Sequence, residues 1–399
     1  MFSMSWKQWK PGDPITINRI VWDGIESEFI QDVFERDWFG PSLYAERLQD
    51  ALKNFVGTEH AQLLNSGSSA LLLAAQALKA QGRWRDGDLI LHPACTFPTS
   101  CNPIWQVGCV PVFVDVEEGT YVISAERMEE AIKEHPDIAG AIIPHLLGNI
   151  PDMAHIMGVL GDRPLIEDCC DTLGGAYRGQ QVGTFGAAAA FSFYGSHHIT
   201  TAGVGGALLT DDDDLHHLVH SMAFWGRKFN ENGDPYHDFV NRYTYETVGY
   251  DMQMTEIQAA FGLAQMTRLA RMNGKRWAQF EDTDLFMRHW ENWLSLPKEH
   301  LGAEPSWFGY PVLVRERAPF EREHFVRWLL DHQIEIRPLF AGNLMRQPAY
   351  RDMDYVVVGE FTQADRNGER AFFLPAWGGM TEGQTEYLFD VIERFMVQW

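Results

Sequence analysis

Phe191-Ser-Phe-Tyr-Gly-Ser-His-His-Ile-Thr-Thr-Ala-Gly-Val-Gly-Gly-Ala207 is the stretch around which the chain is organised. An apolar strand, 187 to 194, runs into a short polar turn that carries His197 and His198. A glycine-rich return, 203 to 206, leads into a second apolar strand, 207 to 210. Glycines in such a return let backbone pass close to a ligand or a neighbouring strand. A histidine at the end of a buried strand can move a proton near neutral pH. In isolation the pair reads first as structural histidines of a surface hairpin, so the flanking sequence must decide.

That sequence alternates short apolar runs with helical patterns. Ala61-Gln-Leu-Leu-Asn-Ser-Gly-Ser-Ser-Ala70 reads as a strand, a Ser/Gly turn and a helix start, an arrangement that can bind an anion or simply cap a helix. Strands are predicted at 88–92, 110–115, 138–144 and 164–168, with helices opening at Thr96 and covering 125–134, 215–224 and 255–269, the last extended through Arg276. The pattern predicts an α/β fold with a mostly parallel sheet and helices on both faces. Ligands of such sheets sit at the carboxyl ends of strands, and His145, Asp168 and His197 each follow a predicted strand end. Two amphipathic helices broken at Phe39-Gly-Pro41 precede the sheet, and residues 226–243 read as a polar loop. Strands at 307–314 and 335–338 and helices at 321–332 and 382–397 predict a smaller α+β domain. The expected organisation is an N-terminal arm (1–25), a large domain (26–274) and a small domain (275–399).

With 399 residues, the chain is long enough for two cores. A net charge of −23 argues against a nucleic-acid or anionic-membrane surface, though not against a small anion held locally. No apolar run is long enough to span a bilayer, and the first residues lack a signal-peptide core, so a cytoplasmic location is expected. The five cysteines, Cys95, Cys101, Cys109, Cys169 and Cys170, form no C-x-x-C pair, and no metal site is expected.

Several motifs in order, Asn65-Ser-Gly-Ser68, Thr96-Phe97, Val112-Phe-Val-Asp115, Glu167-Asp168, Ser192-Phe-Tyr194 and Gly249-Tyr250 before Glu256-Ile-Gln-Ala-Ala260, resemble the DegT/DnrJ/EryC1/StrS sugar aminotransferases, which are fold-type I pyridoxal-phosphate enzymes. His145-x-Leu-Gly-Asn149, Glu167-Asp-Cys-Cys-Asp171, His197-His-Ile-Thr200, Tyr243-Thr-Tyr245, Pro305-Ser-Trp-Phe-Gly309 and Arg337-Pro-Leu-Phe-Ala-Gly-Asn-Leu-Met-Arg-Gln-Pro348 bring it nearest to the branch of CDP-4-keto-6-deoxyglucose 3-dehydratases. The GDP-linked dehydratases of the colitose pathway are more distant. The resemblance implies a pyridoxal or pyridoxamine 5′-phosphate cofactor, with Asp168 on the pyridine nitrogen, Phe97 stacked on the ring and Gly67, Ser68 and Ser192 on the phosphate. It puts Asp171 and Tyr194 near the reactive edge. For each residue alone, capping, turn geometry or core packing is the competing explanation. His145, Arg337 and Arg346 are candidates for the substrate, the two arginines because guanidinium binds phosphate oxygens bidentately, against a surface ion pair as the alternative.

The departures matter as much. The family's aminotransferases carry a Schiff-base lysine where this chain has His197, and Lys7, Lys10, Lys53, Lys79, Lys133, Lys228, Lys275 and Lys298 match no such strand end. The resemblance therefore implies a non-covalent cofactor, with pyridoxamine phosphate as the working form. His197 would be the base that takes a proton from the C4′ carbon as the sugar's C3 hydroxyl leaves. The CDP-sugar dehydratases also hold a [2Fe-2S] cluster, but the matching loop, Arg227 to Pro235, has no cysteine, so no cluster and no reductase are expected. L-Glutamate is then the candidate amino donor. Asp251 stands where the family usually has an asparagine that reaches the phosphate across a homodimer, and a carboxylate there is repulsive unless paired or protonated. Two rival readings are an aminotransferase working without the lysine and a non-catalytic binding homologue.

Overall fold

In the computed structural model, which describes residues 9–229 and 234–399, the described residues build one large eight-stranded sheet, a small four-stranded sheet and a short three-stranded one from Ala303–Glu304, Ala176–Tyr177 and Gln180–Gln181. The large sheet contains β1 (His60–Leu64), β2 (Leu89–Pro93), β3 (Val110–Val114), β4 (Gly140–Pro144), β5 (Leu165–Asp168), β6 (Ala188–Ser192), β7 (Gly206–Thr210) and β8 (Val356–Val357), in the order β1-β7-β6-β5-β4-β2-β3-β8. β7 runs antiparallel to both neighbours and the other pairings are parallel. The central strands are almost continuously buried, as expected when helices cover both faces.

Helices α1 (Ile25–Arg36), α2 (Leu43–Val56), α3 (Gly67–Ala80), α4 (Pro98–Gln106), α5 (Ala125–Glu134), α6 (Met153–Leu160) and α7 (Asp213–Ala223) follow in chain order. Leu48, Leu52, Met128, Ile156 and Ala260 pack with Leu91, Ile143 and Phe191 against one face of the sheet. Leu71, Leu78, Ile104 and Val219 pack with Ile90, Ile142 and Ala190 against the other. Registers Pro144↔Asp168 and Asp168↔Ala190 bring the carboxyl ends of β4, β5 and β6 side by side. The order reverses around β2, whose neighbours are β3 and β4, and a crevice at strand ends forms at such a reversal.

The break at Phe39-Gly-Pro41 and the two flanking helices lie where the sequence predicts them. Elsewhere the elements differ in extent. The single helix expected from 255 through 276 is two, Glu256–Met266 and Leu269–Met287, because Arg268 turns out of helical geometry and reaches Glu26 and Asp23. A short helix, Pro235–Asn241, occupies part of the expected loop 226–243, of which residues 230–233 lie outside the described residues, as does 1–8 of the expected arm. The small sheet joins Leu294–Ser295, Tyr310–Val314, Ala371–Leu374 and Arg337–Pro338, so its strands are shorter than 307–314 and 335–338. Its core stacks Trp307 on Phe280 at 4.5 Å and 7°. Helix Leu269–Met287 passes through position 275, and β8 comes from the last third of the chain. No helix among the described residues is long and apolar enough to cross a membrane.

Glu256 shows what one motif residue does. Its buried carboxylate accepts hydrogen bonds from the backbone N–H groups of Ser42 (2.8 Å), Tyr44 (2.6 Å) and Ala45 (3.2 Å), which caps α2 from another helix. Those N–H groups have no intrahelical acceptor. Glu256→Ala should cost about 3 kcal/mol by orphaning buried donors, read as a Tm several degrees below wild type with unchanged far-UV circular dichroism at 20 °C.

Candidate active site

A cavity of about 1510 Å³ opens at the carboxyl ends of the large sheet. Gly67, Ser68, Phe97, Asp168, Asp171, Ser192, Tyr194, His197, His145 and Arg337 all contribute to its wall, so the structure brings together ten of the twelve residues singled out from sequence.

Close backbone approach builds its floor. Gly206 sits in register with Leu64 on one side and Ser192 on the other. A Cβ on Gly206 would lie 2.4 Å from the backbone nitrogen of Gly67. A Cβ on Gly67 would lie 2.7 Å from Cys170 Sγ and 2.8 Å from Ser192 Cβ. Only glycines let the start of α3 sit this close to the ends of β5 and β6. Ser66 caps α3 by accepting from Ser69 N–H at 3.1 Å. The first turn of a capped 14-residue helix directs N–H groups and positive potential toward the cavity.

Asp168 ends β5. Its Oδ2 accepts from Ser100 Oγ at 2.5 Å and its Oδ1 from Cys170 N–H at 3.1 Å. The carboxylate is thereby fixed at the cavity wall. Phe97 caps α4 and is 49% exposed, a large apolar ring left facing open space. Phe340, in left-handed geometry at φ 44°, sets its ring edge-on to Phe97 at 5.9 Å. A helix N-terminus, a fixed carboxylate and an exposed ring suit a ligand with a phosphate, a cationic ring nitrogen and an aromatic plane. The glycine floor leaves room for it.

His197 stands opposite. Its Nδ1 is enclosed without a partner and its Nε2 lies 3.7 Å from Asp171 Oδ1, so Nε2 is the nitrogen available for chemistry. Tyr194 and Phe308 approach the imidazole edge-on at 6.0 and 5.3 Å. Desolvation lowers His197 to about 4. Desolvation raises Asp171 to about 7, and the charge of Asp168 adds to the rise, against one hydrogen bond from Leu147 N–H at 3.3 Å. At neutral pH the imidazole is therefore uncharged, with one ring N–H, and Asp171 is near its midpoint.

Other candidates fall differently. His145 is buried at the wall with Nε2 3.1 Å from Glu167 Oε2. That carboxylate also accepts from the N–H groups of Gly183, Phe185 and Gly186 at 2.7–2.9 Å, so His145 belongs to a tie between β5 and the turn before β6. Glu167 is fully occupied by these donors. Burial pushes the neighbouring Cys169 thiol well up. Arg337 lines the cavity, paired with Glu335. Arg346 does not line it. Asp365 takes its guanidinium at 2.7 and 2.9 Å on an exposed surface, so the ion-pair alternative holds there. Asp251 is also outside the wall, exposed, and accepts from Gln253 Nε2 at 3.1 Å. Sequence reasoning missed Ser100, whose signal was its place one helical turn after Phe97. It gave no role to Phe308 and Phe340, although both lie in motifs that carry the resemblance, 305–309 and 337–348.

A family model described as the DegT/DnrJ/EryC1/StrS aminotransferase family matches residues 23–393. Lipopolysaccharide biosynthesis protein RfbH of Salmonella typhimurium is 35% identical over 379 residues, covering 90% of this chain and 86% of its own. dTDP-4-dehydro-2,6-dideoxy-D-glucose 3-dehydratase of Saccharopolyspora spinosa is 33% identical over 384 residues, covering 89% of this chain and 80% of its own. A crystal structure of GDP-4-keto-6-deoxymannose-3-dehydratase with a trapped PLP-glutamate geminal diamine is similar at a TM-score of 0.87 and 26% identity, with 94% of this chain and 99% of that one covered.

The two shifted groups predict opposite pH effects on the ligand-free fold. A carboxyl held at about 7 stabilises the fold while protonated, fully below pH 4, and that contribution is lost as pH rises through 7. Asp171→Asn, a permanent mimic of the protonated form, should therefore raise Tm by a few degrees at pH 8 and leave it unchanged at pH 4. An imidazole held at about 4 has the reverse sign, its stability present above pH 6.5 and lost as pH falls through 4. Differential scanning calorimetry across pH 4 to 8 checks both.

Proposed function

The chain belongs to the DegT/DnrJ/EryC1/StrS aminotransferase family, and from that premise we propose that it is a pyridoxamine-phosphate-dependent 3-dehydratase of a nucleotide-linked 4-keto-6-deoxyhexose. One observation carries the reading. The strand-end turn facing the cavity bears a histidine with an available Nε2, and no lysine lines the cavity among the described residues. Imidazole forms no stable imine with an aldehyde but can accept a proton.

The residues fit the cofactor. Asp168 would hold its pyridine nitrogen protonated, Phe97 would take one face of the ring, and Gly67, Ser68 and Ser192 would hold the phosphate at the start of α3. When bound, pyridoxamine phosphate supplies an amine for the 4-keto carbon and an electron sink for loss of the C3 hydroxyl. His197, uncharged at pH 7, would be the base that takes the proton from the cofactor's C4′ carbon. Asp171 at 3.7 Å attracts that proton once it is on the imidazole. Phe308, Phe340 and Tyr194 exclude water from part of the wall. Arg337 is the diphosphate anchor, exchanging Glu335 for phosphate oxygens. His145 serves this site only by fixing the end of β5.

L-Glutamate completes the balance without a cluster. The net change removes one oxygen from the sugar and oxidises glutamate to 2-oxoglutarate, its nitrogen leaving as ammonia. The trapped PLP-glutamate species in the solved relative supports this donor. A homodimer belongs to the same reading, and Trp225, Tyr236, Phe239, Tyr243 and Val248, in the stretch of chain before Asp251, are all exposed large apolar side chains.

His197→Asn should lower kcat by about 10³-fold or more while changing the dissociation constant for pyridoxal phosphate less than threefold. Full turnover by the variant would remove the base assignment. Loss of cofactor binding would make His197 structural instead.

A further inference from the structure

His197 lines two spaces, the ligand cavity and a second compartment of about 20 Å³. His198, Arg268, Arg276, Asn18 and Trp377 also wall the second one. That is room for about one water molecule, which needs ~10–15 Å³. The two arginines in its wall are not alike. Arg268 is neutralised by Asp23 at 2.6 Å and Glu26 at 2.5 Å.

Arg276 is buried and donates to the carbonyl oxygens of Phe308 (3.1 Å) and Ala376 (3.3 Å). Among the described residues no carboxylate lies within 4.0 Å of its nitrogens, and the acidic group that acts on it is Asp171. Desolvation lowers it to about 10, so it is cationic at neutral pH. A buried guanidinium without an ion-pair partner is costly, and two carbonyl bonds offset only part of that cost. Two carbonyls could be bridged by a neutral amide, so anchoring alone does not account for the charge. His198 adds none, since burial holds it well below the ordinary range, with Nε2 bonded to Ser306 O at 2.9 Å.

Resting on the reading of His197 as the base, we infer that Arg276 is a positioning residue for the proton transfer, a fixed positive charge that bears on His197 and Asp171 together. The charge disfavours a second cation on the imidazole and favours the anion on Asp171. The ligand-free site then holds a neutral imidazole beside a carboxyl whose ionised form the same charge favours. The titratable and charged groups facing His197 are Asp171, Tyr194 and Cys170 on the cavity side, with Asp168 behind Asp171. On the compartment side they are His198, Arg276, the paired Arg268 with Asp23 and Glu26, and Arg19.

The test uses ligand-free full-length protein and imidazole ¹⁵N NMR, with the His197 resonance assigned by its loss in His197→Asn. Arg276→Gln should raise the His197 titration midpoint by about one pH unit. Arg276→Lys keeps the charge and loses the two-carbonyl geometry, so its midpoint should stay near wild type while its Tm falls. An unmoved midpoint in folded Arg276→Gln overturns the inference. So does an equal rise in both variants, which would trace the effect to packing. Arg276→Met is the second neutral variant should the glutamine protein fail to fold. If His197 proved not to be the base, turnover by His197→Asn would reveal it, and the titration would still report whether Arg276 acts on it.

Discussion

The contact on which the site depends is the approach of the α3 backbone to the ends of β5, β6 and β7. Gly206 allows the Gly67 nitrogen to sit 2.4 Å from where its own Cβ would be, and Gly67 in turn leaves space for Cys170 and Ser192. A side chain at either position would push a helix N-terminus away from the strand ends. That approach sets the start of α3, with Gly67 and Ser68, into the same cavity wall as Asp168, Ser192 and His197. Strand register then does the rest, because Pro144, Asp168 and Ala190 are paired neighbours and their following residues share one rim.

Charge is distributed over this rim with economy. Asp168 and Asp171 lie close enough that one raises the other, and only Asp168 has two fixed donors. Asp171 is left poised near neutral pH beside an imidazole that desolvation keeps uncharged. Desolvation lowers the imidazole's affinity for a proton and raises that of the carboxyl, so a proton shared between the two is held on Asp171. Glu167, next to Asp168 in sequence, shows the contrast, as three N–H donors and His145 saturate it and leave it no chemistry.

Much of this was legible in the sequence because strand ends announce themselves. Apolar runs that stop at Asp168, Ser192 and Pro144 mark the rim, and the Asn65-Ser-Gly-Ser68 turn marks the helix that faces it. What was not legible depends on distant partners. The break at Arg268 is set by Glu26 and Asp23, more than 240 residues earlier, and helical periodicity carries no trace of them. Arg346 has the residue type of a phosphate anchor, yet Asp365, nearby in space but on a following helix, claims it. Phe340 reaches Phe97 only because its backbone adopts positive φ, which a phenylalanine seldom does. Arg276 looked like an ordinary helix residue until its lack of a carboxylate partner was visible.

The central claim is that this lysine-free site removes an oxygen from its sugar and keeps no nitrogen on it. The most direct measurement is mass spectrometry of the nucleotide-sugar product after incubation of the protein with pyridoxal phosphate, L-glutamate and CDP-, GDP- and dTDP-linked 4-keto-6-deoxyhexoses. The account predicts, for one of these, a product with one oxygen fewer than the substrate and no added nitrogen, with 2-oxoglutarate formed in equal amount. An amino sugar retaining the C3 hydroxyl would contradict it and assign the site to transamination.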